Sequence, residues 1–127
     1  MIEKILIDGK EVEMKATGLT PVIFQDVFQM DLLKNLNGKI LSDDQAEQSS
    51  ATTMLNQLMF IMAEQAKGTT LEDFRGMEAK KYYEWLDAFS FGGLVAAAPK
   101  AVEFFQKEAA PAAELKKTDV SGESPEN

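Results

Sequence analysis

Strand-like sequence occurs only once in this chain. In residues 2–15, IEKILIDGKEVEMK, two alternating apolar runs flank the dipeptide Asp8–Gly9. That dipeptide suits a two-residue type I′ turn, because both of its positions require positive φ. The turn sets the register: Ile7 faces Lys10, Ile5 faces Val12 and Glu3 faces Met14, so Ile5, Ile7, Val12 and Met14 share one face. The other face carries Lys4 across from Glu13, a candidate ion pair, with Leu6 and Glu11 beside them. A two-stranded hairpin is marginal alone in water. Its apolar face has to sit on the remainder of the chain, which reads as helix.

In TGLTPVIFQDVFQMDLLKNLNG, Thr20 is placed as N-cap and Pro21 at the first helical position, with Asn37 and Gly38 as the stop. Asp26 then lies near the positive end of the helix and Lys34 near the negative end, and Leu19 is positioned to staple onto Phe24. Phe24, Val27, Phe28 and Leu32 keep helical spacing, broadened by Ile23, Met30, Leu33 and Leu36. KILSDDQAEQSSATT is a polar loop into the next helix, which starts either at Ser42, with Asp43, Asp44 and Glu47 in its first turn, or near Ser49 or Ser50. MLNQLMFIMAEQAKG, residues 54–68, is apolar nearly all round, the pattern of a central helix. Thr69 or Thr70 caps a short turn, LEDFRG. MEAKKYYEWLDAF then aligns Tyr82, Leu86 and Phe89 on one side, with Trp85 nearby. SFGG at 90–93 reads as a break before a last helix from about Leu94 to Lys107, kinked or restarted at Pro99.

These elements predict an α+β fold, mainly α: an N-terminal two-stranded β-hairpin packed on a bundle of four to five helices. The 127 residues suit one domain, placed at residues 1–108. Residues 109–127, rich in Ala, Pro, Ser and charge, read as a disordered acidic tail.

Composition then removes several kinds of chemistry. The chain has no cysteine and no histidine, which leaves out disulfides, thiolate nucleophiles, the commonest general base and the commonest transition-metal ligand. A net charge of −8 repels nucleic acid and anionic membrane surfaces. No stretch approaches a membrane span, and the N-terminus lacks signal-peptide character. The acid pairs Glu72–Asp73 and Glu84–Asp87, like Asp43, Asp44 and Glu47, sit at helix starts or on polar faces. DFRGMEAKKYYE lacks the alternating oxygen ligands of a calcium loop, and Gly92–Gly93 lacks the lysine of a phosphate loop. The chain is accordingly expected not to be an enzyme and to carry no catalytic, cofactor or metal residues.

The remaining candidate for function is apolar surface. Met54, Met59 and Met62 suit core packing, with an adaptable binding face as the alternative. Tyr82, Tyr83, Trp85, Phe89 and Phe91 cannot all point inward from one helix. Phe104 and Phe105, adjacent on a helix, point about 100° apart. Tyr83, Trp85, Phe89, Phe91, Phe104 and Phe105 are therefore candidate protein-contact residues, with a simple core role left open beside that one.

IDGKEVEMKATGLTP, FQDVFQMDLLKNL, LNQLMFIMAEQAKG and EWLDAF, in that order across residues 2–107, resemble the tail assembly chaperones of long-tailed phages and prophages of Gram-positive bacteria. The resemblance implies a protein that binds the tape measure protein, keeps it soluble and helps recruit tail-tube subunits. It also implies a homo-oligomer acting in the host cytoplasm and absent from the mature virion; the charge leaves out nucleic acid and membrane as partners. Such proteins are often also made as a longer frameshift product, which would reach the major tail protein. An A-rich run encoding Lys116 and Lys117 is where such a slip would fall. SFGGLVAAAPKAVEFF carries more alanine and glycine than the matching segment of that family. The alternative reading is a small structural tail-completion or head–tail joining protein of the virion.

Overall fold

The computed structural model describes residues 2–30 and 45–109. Strands β1 (Ile2–Ile7) and β2 (Lys10–Lys15) form an antiparallel hairpin. Among the described residues five helices follow: α1 (Thr20–Phe28), α2 (Gln45–Ala66), α3 (Leu71–Arg75), α4 (Ala79–Asp87) and α5 (Phe91–Ala109). The fold is α+β and mainly α, with the hairpin leading.

The hairpin follows from its turn. Asp8 and Gly9 adopt φ of +56° and +76°, and the pairs are Ile7–Lys10, Ile5–Val12 and Glu3–Met14. Ile5, Ile7 and Met14 are buried, with Val12 packed against them. The ion pair on the outer face differs from expectation: Lys4 Nζ lies 3.8 Å from Glu11 Oε1 rather than reaching Glu13. A long side chain spans to the diagonal neighbour as easily as to the one opposite, since twist shortens one diagonal.

β2 packs on α2, β1 packs on α5, and these two helices pack on each other, so the apolar face of the hairpin lies across the α2–α5 pair. α2 also contacts α1 and α4. With neighbours on several sides it buries every residue from Leu58 to Gln65, as its all-round apolar sequence predicts. Met54, Met59 and Met62 are core residues.

Both ends of α1 depart from the expected pattern. Leu19, not Thr20, is the N-cap, and no side chain caps the helix. Thr20 is buried; its hydroxyl accepts the Thr17 N–H at 2.9 Å and donates to Gln65 Oε1 at 2.7 Å. The oxygen that would have capped the helix accepts from Thr17 instead, and the bond its proton makes into α2 holds the hydroxyl in that place. Leu19 stays exposed while Phe24 is fully buried, so the expected staple residue faces solvent. The helix ends at Phe28, where Gln29 turns left-handed at φ +58° and donates its backbone N–H to Gln25 O at 2.9 Å. Asp26 therefore lies near the C-terminal end, and it pairs with Arg75 Nε on α3 at 2.6 Å. Lys34 and the Asn37–Gly38 stop fall outside the described residues.

α2 is already helical at Gln45, which rules out a start at Ser49 or Ser50; Ser42, Asp43 and Asp44 lie outside the described residues. α2 closes at Gly68, at φ +96°. Thr70 caps α3 in a reciprocal box with Asp73, and the Thr70 N–H holds the Asp73 carboxyl below its ordinary value.

At residues 88–90 the chain bends by 106° between α4 and α5. The break lies at 88–90 rather than 90–93, so only Ser90 of SFGG belongs to it: Phe91, Gly92 and Gly93 form the first turn of α5, with Ser90 Oγ accepting the Gly93 N–H at 3.0 Å. The helix then continues through Pro99 without a restart. Val95 and Pro99 are both exposed, so the carbonyl freed by the proline lies on the wet side, where water can take it. Phe104 and Phe105 are both buried. Their directions differ, but α5 is covered by β1 on one side and α2 on the other, so each ring meets protein. The helix runs through Ala109, and the remainder of the expected tail, 110–127, lies outside the described residues.

Candidate protein-binding surface

α4 buries no residue completely. It instead presents an aromatic side to α2. Phe60 on α2 meets Tyr82 edge-on at 5.3 Å between ring centroids and Trp85 at 5.8 Å, and Trp85 meets Phe89 at 5.1 Å. Tyr82 also reaches Phe28 at 5.4 Å. These edge-to-face contacts form one chain of rings from α1 to the α4–α5 corner. Burial pushes the Tyr82 phenol up to about 12, with a smaller contribution from Tyr83, so the hydroxyl stays protonated across the physiological range.

The hairpin is fastened to that corner at its turn. Asp8 accepts the Ser90 backbone N–H at 2.6 Å and the Ser90 hydroxyl at 2.7 Å. The Ser90 N–H, then its hydroxyl, hold the Asp8 carboxyl below the ordinary value. Lys10 Nζ donates to Ala88 O at 3.3 Å and sits 5.6 Å from the Phe89 ring centre. Asp8 packs so closely on Gly93 that any Cβ there would collide with its carboxylate, which explains the glycine at that position.

Two concavities flank this frame. One, of about 560 Å³, lies between the outer edge of β2, the C-terminal turns of α2 and the end of α4, with Trp85 and Phe89 in its wall. The other, of about 390 Å³, is an apolar groove between α2 and α5 lined by Leu55, Val95, Ala98, Pro99 and Val102, with Thr52 at its margin.

The six candidate contact residues do not converge. Trp85 and Phe89 share the first cleft. Tyr83, 62% exposed, belongs to a smaller hollow beside Phe28 and Tyr82. Phe91, 70% exposed, heads the same stripe of α5 as Val95 and leads toward the second groove. Phe104 and Phe105 are core residues in this fold and present no surface. Leu55, Val95 and Val102 were not singled out by sequence, although Phe91, Val95, Pro99 and Val102 follow one helical stripe that could have revealed them.

Glu64 was also missed. Its carboxylate, 3% exposed, accepts the Thr69 hydroxyl at 3.0 Å, pairs with Lys67 at 3.2 Å and lies 3.8 Å from Lys81. It joins α2 to the loop beyond it and to α4, an arrangement of a structural charge among cations. Among the described residues no group of three or more acidic, histidine or cysteine side chains is placed to hold a metal ion. No single described helix is long and apolar enough to cross a membrane. Comparison with protein-family profiles, curated proteins and solved structures finds no match to this chain.

Proposed function

We propose that this protein is a phage tail assembly chaperone, which covers the apolar stripe of the long helical tape measure protein until tail-tube subunits are recruited. The observation that carries the reading is the open apolar groove between α2 and α5, with Leu55 on one side and Val95, Pro99 and Val102 on the other. An amphipathic helix docks into such a groove through apolar anchors repeating every three to four residues, and an elongated helical partner offers many of them. The exposed Phe91 ring, one helical turn before Val95 on α5, adds apolar surface to the same helix stripe. The charge of −8 disperses coated complexes by mutual repulsion. The sequence resemblance to tail assembly chaperones supports the choice of partner, and with it self-association, action in the host cytoplasm, and contact with the major tail protein through a longer frameshift product.

The test is coexpression with the large tape measure protein that this reading expects to be encoded just downstream. The expected result is a higher soluble yield of that protein and copurification, both lost with Val95→Glu and retained with Tyr83→Ala. An unchanged yield without copurification overturns the reading. Mass spectrometry of purified particles separates the alternative: a chaperone is absent from them, whereas a tail-completion or head–tail joining protein is present.

A further inference from the structure

The hairpin has two outer edges, and β2 provides the one that runs beside the first cleft. Across a two-residue turn Ile7 and Lys10 exchange both backbone hydrogen bonds, and alternation along the ladder makes Ile5–Val12 and Glu3–Met14 the next bonded pairs. The peptide groups of Glu11 and Glu13 therefore point away from β1. Among the described residues no hydrogen bond ends on them. This edge forms one wall of the 560 Å³ cleft, Ala63 and Ala66 contribute to it from α2, and Trp85 and Phe89 stand across it. Small side chains on α2 leave the space that larger ones would fill.

We propose that this cleft accepts an extended peptide as a third strand on β2, and that the peptide carries a lysine or arginine between two apolar residues. The backbone requirement comes from the edge: an extended chain can pair its own N–H and C=O groups with those of Glu11 and Glu13, which a helix cannot do. The basic residue comes from charge. Of the charged side chains lining the cleft, Lys4 pairs with Glu11 and Lys67 pairs with Glu64, which leaves Glu13 without an ion pair among the described residues. A cation opposite Glu13 on the outer face supplies one. The residues on either side of that cation point to the inner face with Val12, toward Ala66 and Trp85, where apolar side chains fit. A second copy of this chain supplies no cation opposite Glu13: antiparallel β2-to-β2 pairing centred on Val12 sets Glu11 against Glu13 twice, and pairing centred on Glu13 sets Glu13 against itself while Lys15 falls opposite Glu11. This site is separate from the helix groove, and neither reading depends on the other.

Trp85 is the single tryptophan of the chain and reports on the cleft by its fluorescence. The probe is a capped peptide of sequence GTVKVTG, titrated against the full chain. Expected results are a saturable change in Trp85 emission and slowed amide exchange at Glu11 and Glu13. Replacing the peptide lysine by glutamate weakens binding about threefold to tenfold, and Glu13→Lys reverses that preference in favour of the glutamate peptide. Circular dichroism of Glu13→Lys is unchanged, since Glu13 is exposed. N-methylation of the two peptide amides that face β2 abolishes binding. Equal binding of the methylated peptide, unaltered exchange at Glu11 and Glu13, an unreversed charge preference, or no saturable change at millimolar peptide would each overturn the proposal.

Discussion

α2 and α4 face each other, yet they use their large side chains in opposite ways. α2 buries every residue from Leu58 to Gln65, while α4 buries none fully and keeps Trp85 half-covered and Tyr83 outside. The methionines of α2, the softer and more adaptable side chains, became core. The rings of α4, rigid and large, became walls of clefts. Position among neighbours decided this, because α2 is covered by β2, α1, α4 and α5, whereas α4 has α2 behind it and solvent in front. A contact role therefore cannot be assigned from residue type without knowing how many sides of a helix are covered.

Five substitutions or conditions probe that contrast. Phe60→Ala removes the α2 ring on which Tyr82 and Trp85 rest and is expected to cost about 3–5 kcal/mol in denaturant unfolding. A loss comparable to that of a surface residue would show that α2 is not the centre. Glu64→Ala leaves the Thr69 hydroxyl and two lysines without their acceptor; the expected cost is about 1–3 kcal/mol, and Glu64→Gln should cost less.

Gly93→Ala drives a methyl group into Asp8 and should lower the melting temperature by less than Phe60→Ala does. Asp8→Gly, which keeps the positive φ, should make the same change nearly neutral, and additive losses would break the assignment. The acid limb of stability tests the same contact. The Asp8 carboxyl is held below its ordinary 3.8, so its contribution is fully present above that pH and is lost as pH falls toward the lowered value. Asp8→Asn should flatten this part of the profile. Tyr83→Ala, at the opposite extreme from Phe60, should change stability by no more than about 0.5 kcal/mol.

The candidate surface was legible only in part. Five rings in ten residues announced that α4 and the start of α5 could not bury them all, and the exposure of Tyr83 and Phe91 agrees. Which ring lined which cleft was not legible, because that depends on the 106° bend between α4 and α5 and on the hairpin lying across α2 and α5. The groove lined by Leu55, Val95 and Val102 is assembled from two helices about forty residues apart. Its half on α5 had a readable stripe. Its other half had nothing to distinguish Leu55 from the buried residues around it.

The sequence alone determined whatever is settled within a few residues: the register of the hairpin through Asp8–Gly9, a threonine cap on the short helix at Thr69 or Thr70, and the all-round apolar pattern of α2. In the first two cases the deciding interactions are backbone torsions or hydrogen bonds between near neighbours, and in the third the pattern requires cover on several sides without saying which elements supply it. Only the tertiary structure decided that the Thr20 hydroxyl would bond Gln65, that Asp26 would meet Arg75, that Gly93 would make room for Asp8, and that Phe104 and Phe105 would both find cover. Those outcomes join segments tens of residues apart. A local preference worth about 1 kcal/mol, such as an N-cap, yields when a distant partner offers the same group a buried bond.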